Sequence, residues 1–210
     1  MWLRYGIGNK SRIENLPIKQ VEKMISIKIN SVVYDLPQSW DEVSVKQYVE
    51  IESKREELNP VMLLSVLTGL SYETLNNFPC DEFETDVMPE LQWIGEPFNP
   101  FELKRSKVLN IGKYEVEPLL FLDKERLGQK LLMQQMIDNA MKEKAPHSTL
   151  VAPVLACYYA PFLHPENKWD EKHVKVVEEM INKMSVKEAY PEATFFLRGW
   201  LTFSKKKALS

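Results

Sequence analysis

His164 and His173, with Glu166 and Asp170 between them, are the residues of this chain whose types could hold a transition metal. Helical zinc ligands pair across one turn, at i and i+4. Pro165 breaks any such pairing, and the spacing fits no zinc pattern, so a polar loop leading into a helix cap accounts for all four. Cys157 with one of the histidines would make a nucleophile and its base. It lies, however, inside Leu155-Ala156-Cys157-Tyr158-Tyr159, where a thiol is expected to be buried and inert. Gly6-Ile7-Gly8-Asn9-Lys10-Ser11 has the outline of a phosphate loop, but Asn9 separates the lysine from the glycine and no strand leads in. Asp81, Glu82, Glu84 and Asp86 lack the glycine turn and ligand spacing of a calcium loop. No Gly-x-Ser-x-Gly elbow is present, and no pair of carboxylates is set apart by apolar neighbours. No catalytic residue, metal or cofactor is therefore expected.

The elements that would carry these groups are mostly helices. Ile25, Ile27 and Ile29 alternate with polar residues and predict a strand; Asn30-Ser31 would turn into a returning strand, Val32-Val33-Tyr34. Asp35 to Val43 reads as an extended link. Ser44 with Gln47 is a capping box for a helix running to about Leu58. Asn59-Pro60 opens a second helix and Gly69 closes it; Ser71 begins a third, to about Phe78. Phe83, Val87 and Leu91 recur every four residues, so 81–94 is expected to be helical and interrupted at Pro89. After a proline-containing loop over 95–106, Val108 to Val116 predicts a second hairpin around Gly112. Asp123 is the expected cap of a helix ending near Lys144, with Met133, Met136, Ile137, Ala140 and Met141 as one apolar stripe. A buried helix at 149–160 follows, then an amphipathic one capped by Asp170, with Val174, Val177, Ile181 and Met184 inward. Ser185-x-x-Glu188 is a further capping box, and Pro191 would open a final aromatic helix with Phe195, Phe196, Trp200 and Leu201. Trp169, just before the Asp170 cap, stands where a hydrophobic staple sits. No strand–helix alternation suggests a parallel sheet, so the expected fold is α+β, predominantly α-helical with one or two small β-hairpins. Residues 1–23 would be an N-terminal arm and 24–203 a single domain, either undivided or made of two lobes meeting near 95–106. The basic tail would be 204–210.

With 210 residues and 44% apolar side chains, the chain is long enough for a real core. The longest apolar stretch, Leu150 to Leu163, is 14 residues, short of the roughly 18–20 that span a bilayer. No apolar run suits a secretory signal, and Cys80 and Cys157 form no C-x-x-C pair, which points to a reducing compartment. The net charge of −3 excludes a strongly basic nucleic-acid coat. The charge is unevenly placed. From Glu56 to Leu103 there are ten acids and no Lys or Arg, whereas residues 104–210 carry eighteen basic and thirteen acidic groups. Either the two kinds of surface neutralise each other within one molecule, or they meet between copies in a head-to-tail contact that builds rings or filaments. On the second reading Asp81, Glu82, Glu84, Asp86 and Glu90, with Lys104, Arg105 and Lys107, are the candidate interface.

One resemblance bears on function. A short hairpin followed by Tyr34-Asp35-Leu36-Pro37-x-Ser39-Trp40-Asp41-Glu42-x-Ser44-x-x-Gln47-Tyr48 resembles the opening of small structural and tail-assembly proteins of tailed bacteriophages. Leu64-Ser65-Val66-Leu67-Thr68-Gly69-Leu70-Ser71-x-Glu73-x-Leu75, Gly128-Gln129 and Ala189-Tyr190-Pro191-x-Ala193-x-Phe195-Phe196 are similar in style. The likeness implies a non-enzymatic virion part, a tail or connector ring subunit whose partners are other phage structural proteins and copies of itself. Its locations would be the virion and, during assembly, the host cytoplasm. The alternatives are a tail-assembly chaperone absent from the mature particle, and a DNA-linked binding module using the basic C-terminal half. An enzyme ranks third and would need a pocket that gathers the histidines and acids.

Overall fold

Ile27 and Ile29 are buried while Ser26 and Lys28 face water, the alternation that a strand with one covered face requires. In the computed structural model they belong to β1 (Ile25–Ile29), which pairs antiparallel with β2 (Val32–Leu36), Ile27 opposite Tyr34. The structure describes residues 25–29, 32–96, 98–119, 126–166 and 168–208, and of 25 and 200–208 the backbone alone. The expected arm 1–23, the turn Asn30-Ser31, the cap Asp123 and the Trp200 and Leu201 side chains lie outside that description.

The helix α1 (Val45–Ser53) starts at Ser44 through the expected box: Ser44 Oγ accepts from Gln47 N–H, and Gln47 Oε1 accepts from Ser44 N–H at 2.9 Å. The same Gln47 side chain donates to the Leu67 carbonyl at 2.9 Å and so ties α1 to the end of α2 (Pro60–Thr68). The helix stops at Ser53, short of Leu58, because Lys54 to Glu57 are exposed and offer no apolar face to bury. Gly69 closes α2 in the left-handed conformation, φ 75°. Then comes α3 (Tyr72–Asn76), the short helix expected after Ser71. It is followed by α4 (Cys80–Glu82), a π turn over Phe83–Val87 and a 3₁₀ stretch over Pro89–Gly95, which together are the interrupted helix that the Phe83-Val87-Leu91 spacing implied. A 3₁₀ turn, Pro100–Glu102, lies inside the expected loop. The second hairpin, β3 (Leu109–Ile111) and β4 (Tyr114–Val116), turns at Gly112 with φ 61° and buries Leu109 and Ile111 completely.

Four helices form the remaining core. α5 (Leu127–Glu143) leads through a 3₁₀ turn at His147–Leu150 into α6 (Val151–Leu163), which packs against α5, α7 (Glu171–Ile181) and α8 (Val186–Ala208). Helix α6 is the hydrophobic centre, with Val151, Leu155, Ala156, Cys157 and Tyr159 all at or below 1% exposure. On α7, Val174, Val177 and Ile181 face it, as does Met184 just beyond, while Lys175 and Glu179 stay in water. Pro191 does not open a separate helix. It sits inside α8, which starts at Val186 because its first backbone N–H bonds to Val43 O at 2.8 Å and seats the helix end beside α1. Ser185 Oγ accepts from Lys187 N–H, but the Glu188 carboxylate reaches across to Asn110 N–H of β3 at 2.8 Å and does not close the expected box. Met141 also departs from expectation. Met133 and Ile137 are buried, whereas Met141, on the last turn of α5, is 73% exposed because nothing packs over it. The result is a mostly helical α+β fold with two two-stranded antiparallel sheets. Among the described residues no helix is long and apolar enough to cross a membrane.

Candidate functional site

The acidic segment is built on an apolar hinge. Val87 and Leu91 are buried and Phe83 is half-buried, so the segment from Cys80 to Gly95 lies on the core along that edge. Met88 N–H bonds to Phe83 O at 3.0 Å, the wide spacing of a π turn, which keeps Val87 inward across the approach to Pro89. The other side is left in water: Asp81, Glu82, Glu84 and Asp86 are exposed and Glu90 is partly so. Their hydrogen bonds are local. Asp86 accepts from Thr85 Oγ1 at 3.0 Å, and Glu84 from the Cys80 thiol at 3.5 Å. That Glu84 contact pushes the Cys80 thiol up from its ordinary range. Among the described residues, none of the ten acids between Glu56 and Leu103 forms an ion pair with a basic side chain. Close pairing among the described residues therefore does not neutralise the charge of this surface.

The cations proposed as its counterparts divide. Lys104 and Lys107 are exposed, but Arg105 turns inward. Its guanidinium holds the fully buried Glu192 of α8 through two bonds, Nε to Oε2 at 2.5 Å and Nη2 to Oε1 at 2.7 Å, donates to Leu119 O at 2.6 Å, and lies 3.8 Å from the Phe195 ring centroid. Tyr159 completes the cluster by donating its hydroxyl to Glu192 Oε1 at 2.7 Å and accepting Leu119 N–H at 3.1 Å. Burial and the carboxylate beside it push the Tyr159 hydroxyl far above the ordinary tyrosine range. A bidentate pair between the partly exposed Arg105 and the fully buried Glu192 fastens the 103–119 region to α6 and α8. Sequence reasoning missed it, because Arg105 and Glu192 stand 87 residues apart and neither carries a local signal.

The metal candidates do not converge. His164 Nδ1 accepts from Glu166 N–H at 3.1 Å, its Nε2 lies 4.0 Å from Asp170, and its ring meets His173 edge-on at 5.0 Å. Asp170 is occupied as a cap, accepting Lys172 N–H, and Glu166 pairs with Lys168. Among the described residues no group of three or more His, Cys, Asp or Glu is placed to hold a metal. Cys157 is fully buried, with its thiol against the Gln129 carbonyl at 3.4 Å.

Two concave surfaces were not legible in the sequence. One, of about 290 Å³, is walled by the aromatic rings of Trp40, Tyr48 and Phe98, part of a ring-to-ring chain that joins α1 to the 90s segment and to Tyr190 of α8. The other, of about 380 Å³, lies between the end of α5, the His147 turn and α8, and is lined by Ile137, Met141, Leu150 and Leu197 with Lys144 at its edge. A smaller hollow of about 170 Å³ continues it past His147 and Leu197 toward Phe101 and Tyr190. Its residues come from three stretches far apart in the chain, so only the exposed end of the α5 stripe could have hinted at it. Comparison with protein-family models, with curated proteins and with solved structures finds no match for this chain.

Proposed function

We propose that this protein is a non-enzymatic structural component of a tailed-phage virion, a tail or connector ring subunit that acts through protein–protein contact. The observation that carries this reading is the acidic surface over Asp81 to Glu90, exposed and unpaired among the described residues. A charge that the described residues leave unpaired is suited to steering and selecting a partner of opposite sign. The phage-like pattern from Tyr34 to Tyr48 supports the same assignment: its Ser44 box and Trp40 ring cluster organise α1. Its partners are copies of itself and other phage structural proteins. Mass spectrometry of purified particles is the test. Stoichiometric presence in mature virions is expected; absence, with the protein recovered on tail proteins before assembly, would replace the subunit by a tail-assembly chaperone.

A further inference from the structure

The groove beside His147 presents an apolar surface to water. Met141 at one border is 73% exposed and Phe101 at the other is 54% exposed, an apolar area that folding leaves uncovered. The α5 side of the groove is basic: Lys144 lines it and Lys142 is exposed close by at the C-terminal end of the helix. Glu143 on α5 and Glu102 on the 3₁₀ turn are exposed acids nearby, and neither lines the groove. The acidic segment has the converse design: Met88, 37% exposed, stands among Asp81, Glu82, Glu84 and Asp86. An apolar prong rimmed by carboxylates matches an apolar groove rimmed by ammonium groups, the arrangement of a dry centre and charged margin that specific interfaces share.

Resting on the ring-subunit reading, we propose that the His147 groove is the seat for the 80–90 segment of a second copy of this chain. Met88 would enter between Met141 and Leu197, with Glu84 and Asp86 set against Lys144 and Lys142. Groove and segment share no residue, so the contact is heterologous: each copy offers a groove to one neighbour and a segment to the other, and the series closes as a ring or extends as a filament.

Sedimentation velocity on the full chain tests this across concentration and salt. The wild type is expected to self-associate at low ionic strength, and less as salt screens the charged margin. Met141→Glu and Lys144→Glu on the groove, and Asp86→Lys on the segment, all alter exposed side chains. Each is expected to weaken association by about tenfold or more while leaving the thermal melt in place. Lys144→Glu mixed with Asp86→Lys is expected to restore assembly as an alternating series, because each variant repels its own copies but fits the other at both groove and segment. A wild type that stays monomeric at low salt, association indifferent to these variants, or a mixture that fails to assemble would each overturn the contact. A monomer that is nonetheless abundant in virions would sink this contact and leave the structural role standing; self-association by a protein missing from virions would do the reverse.

Discussion

Gln129 of α5 donates its side-chain N–H to the carbonyl of Cys157 in α6 at 3.0 Å. That carbonyl would ordinarily receive the N–H of residue 161, and Pro161 has none to give. The other end of the same amide accepts Arg126 N–H at 2.8 Å, so one buried side chain both caps α5 and completes the hydrogen bonding of α6. Gln129→Met keeps the volume but strands the carbonyl, and is expected to cost about 1–3 kcal/mol. Pro161→Ala restores the missing N–H, so the glutamine should matter less in the double variant, with a coupling of about 1 kcal/mol. Urea denaturation of the four proteins measures it; additive losses would mean that the amide serves α5 alone.

Arg105 and Glu192 make the second long-range prediction. Glu192→Ala leaves the guanidinium and the Tyr159 hydroxyl without their acceptor in a buried site, and a loss of about 3–5 kcal/mol is expected. Replacing both partners, as Arg105→Met with Glu192→Leu, removes the stranded charge and should recover much of that loss. Thermal melts distinguish the outcomes. A Glu192→Ala protein as stable as wild type would show that the cluster does not fasten α8.

Gly128 is fixed by contact. A Cβ at this position would land on the indole of Trp169, which approaches from the residue just before the Asp170 cap. Alanine would favour an exposed helix by up to about 1 kcal/mol, but here it must push a rigid ring aside, at about 1–3 kcal/mol. Gly128→Ala is thus expected to lower the melting temperature, and Trp169→Leu to relieve the effect in the double variant. A more stable Gly128→Ala protein would show that the indole moves freely.

Local chemistry was readable and distant partnership was not. The Ser44–Gln47 box, the Asn59–Pro60 start with its Gly69 stop, the Asp170 cap and the Gly112 turn are each dictated by neighbours within a few residues, and each stands where the sequence put it. Pro191 misled because proline is a start signal by local rules, while here the Val43 carbonyl and the Glu188–Asn110 bond fix an earlier start for α8. Met141 misled because helical periodicity says which face a residue is on, not how far along that face a neighbour extends. For the candidate site, sequence located the acids and their lack of nearby cations. It could not say that Arg105 would be consumed by Glu192, since that depends on how the 103–119 region crosses α8. The groove was invisible for the same reason: α5, the His147 turn and Leu197 meet only in three dimensions.

The buried tyrosines set an alkaline limit. Burial, with Glu52 nearby, raises the Tyr190 hydroxyl from its ordinary 10.0 to about 12; Tyr48 and Tyr159 are raised further, by burial first and then by Glu52 and Glu192 respectively. Below the ordinary value both folded and unfolded chains keep these protons, and stability does not depend on them. Between about pH 10 and 12 the unfolded chain releases the Tyr190 proton while the folded chain retains it, so the unfolded state binds fewer protons and stability falls as pH rises. Above that window Tyr190 ionises in the folded chain as well and its contribution to the slope ends, whereas Tyr48 and Tyr159 extend the decline. Urea midpoints are therefore expected to drop steadily through this range, and Tyr190→Phe should make the drop shallower. Phenolate absorbance followed alongside circular dichroism provides the check. Tyr48 and Tyr159 should ionise only as the helices melt and Tyr190 not before about pH 12 in a folded chain, and a full phenolate signal near pH 10.0 from a chain still helical would contradict their burial.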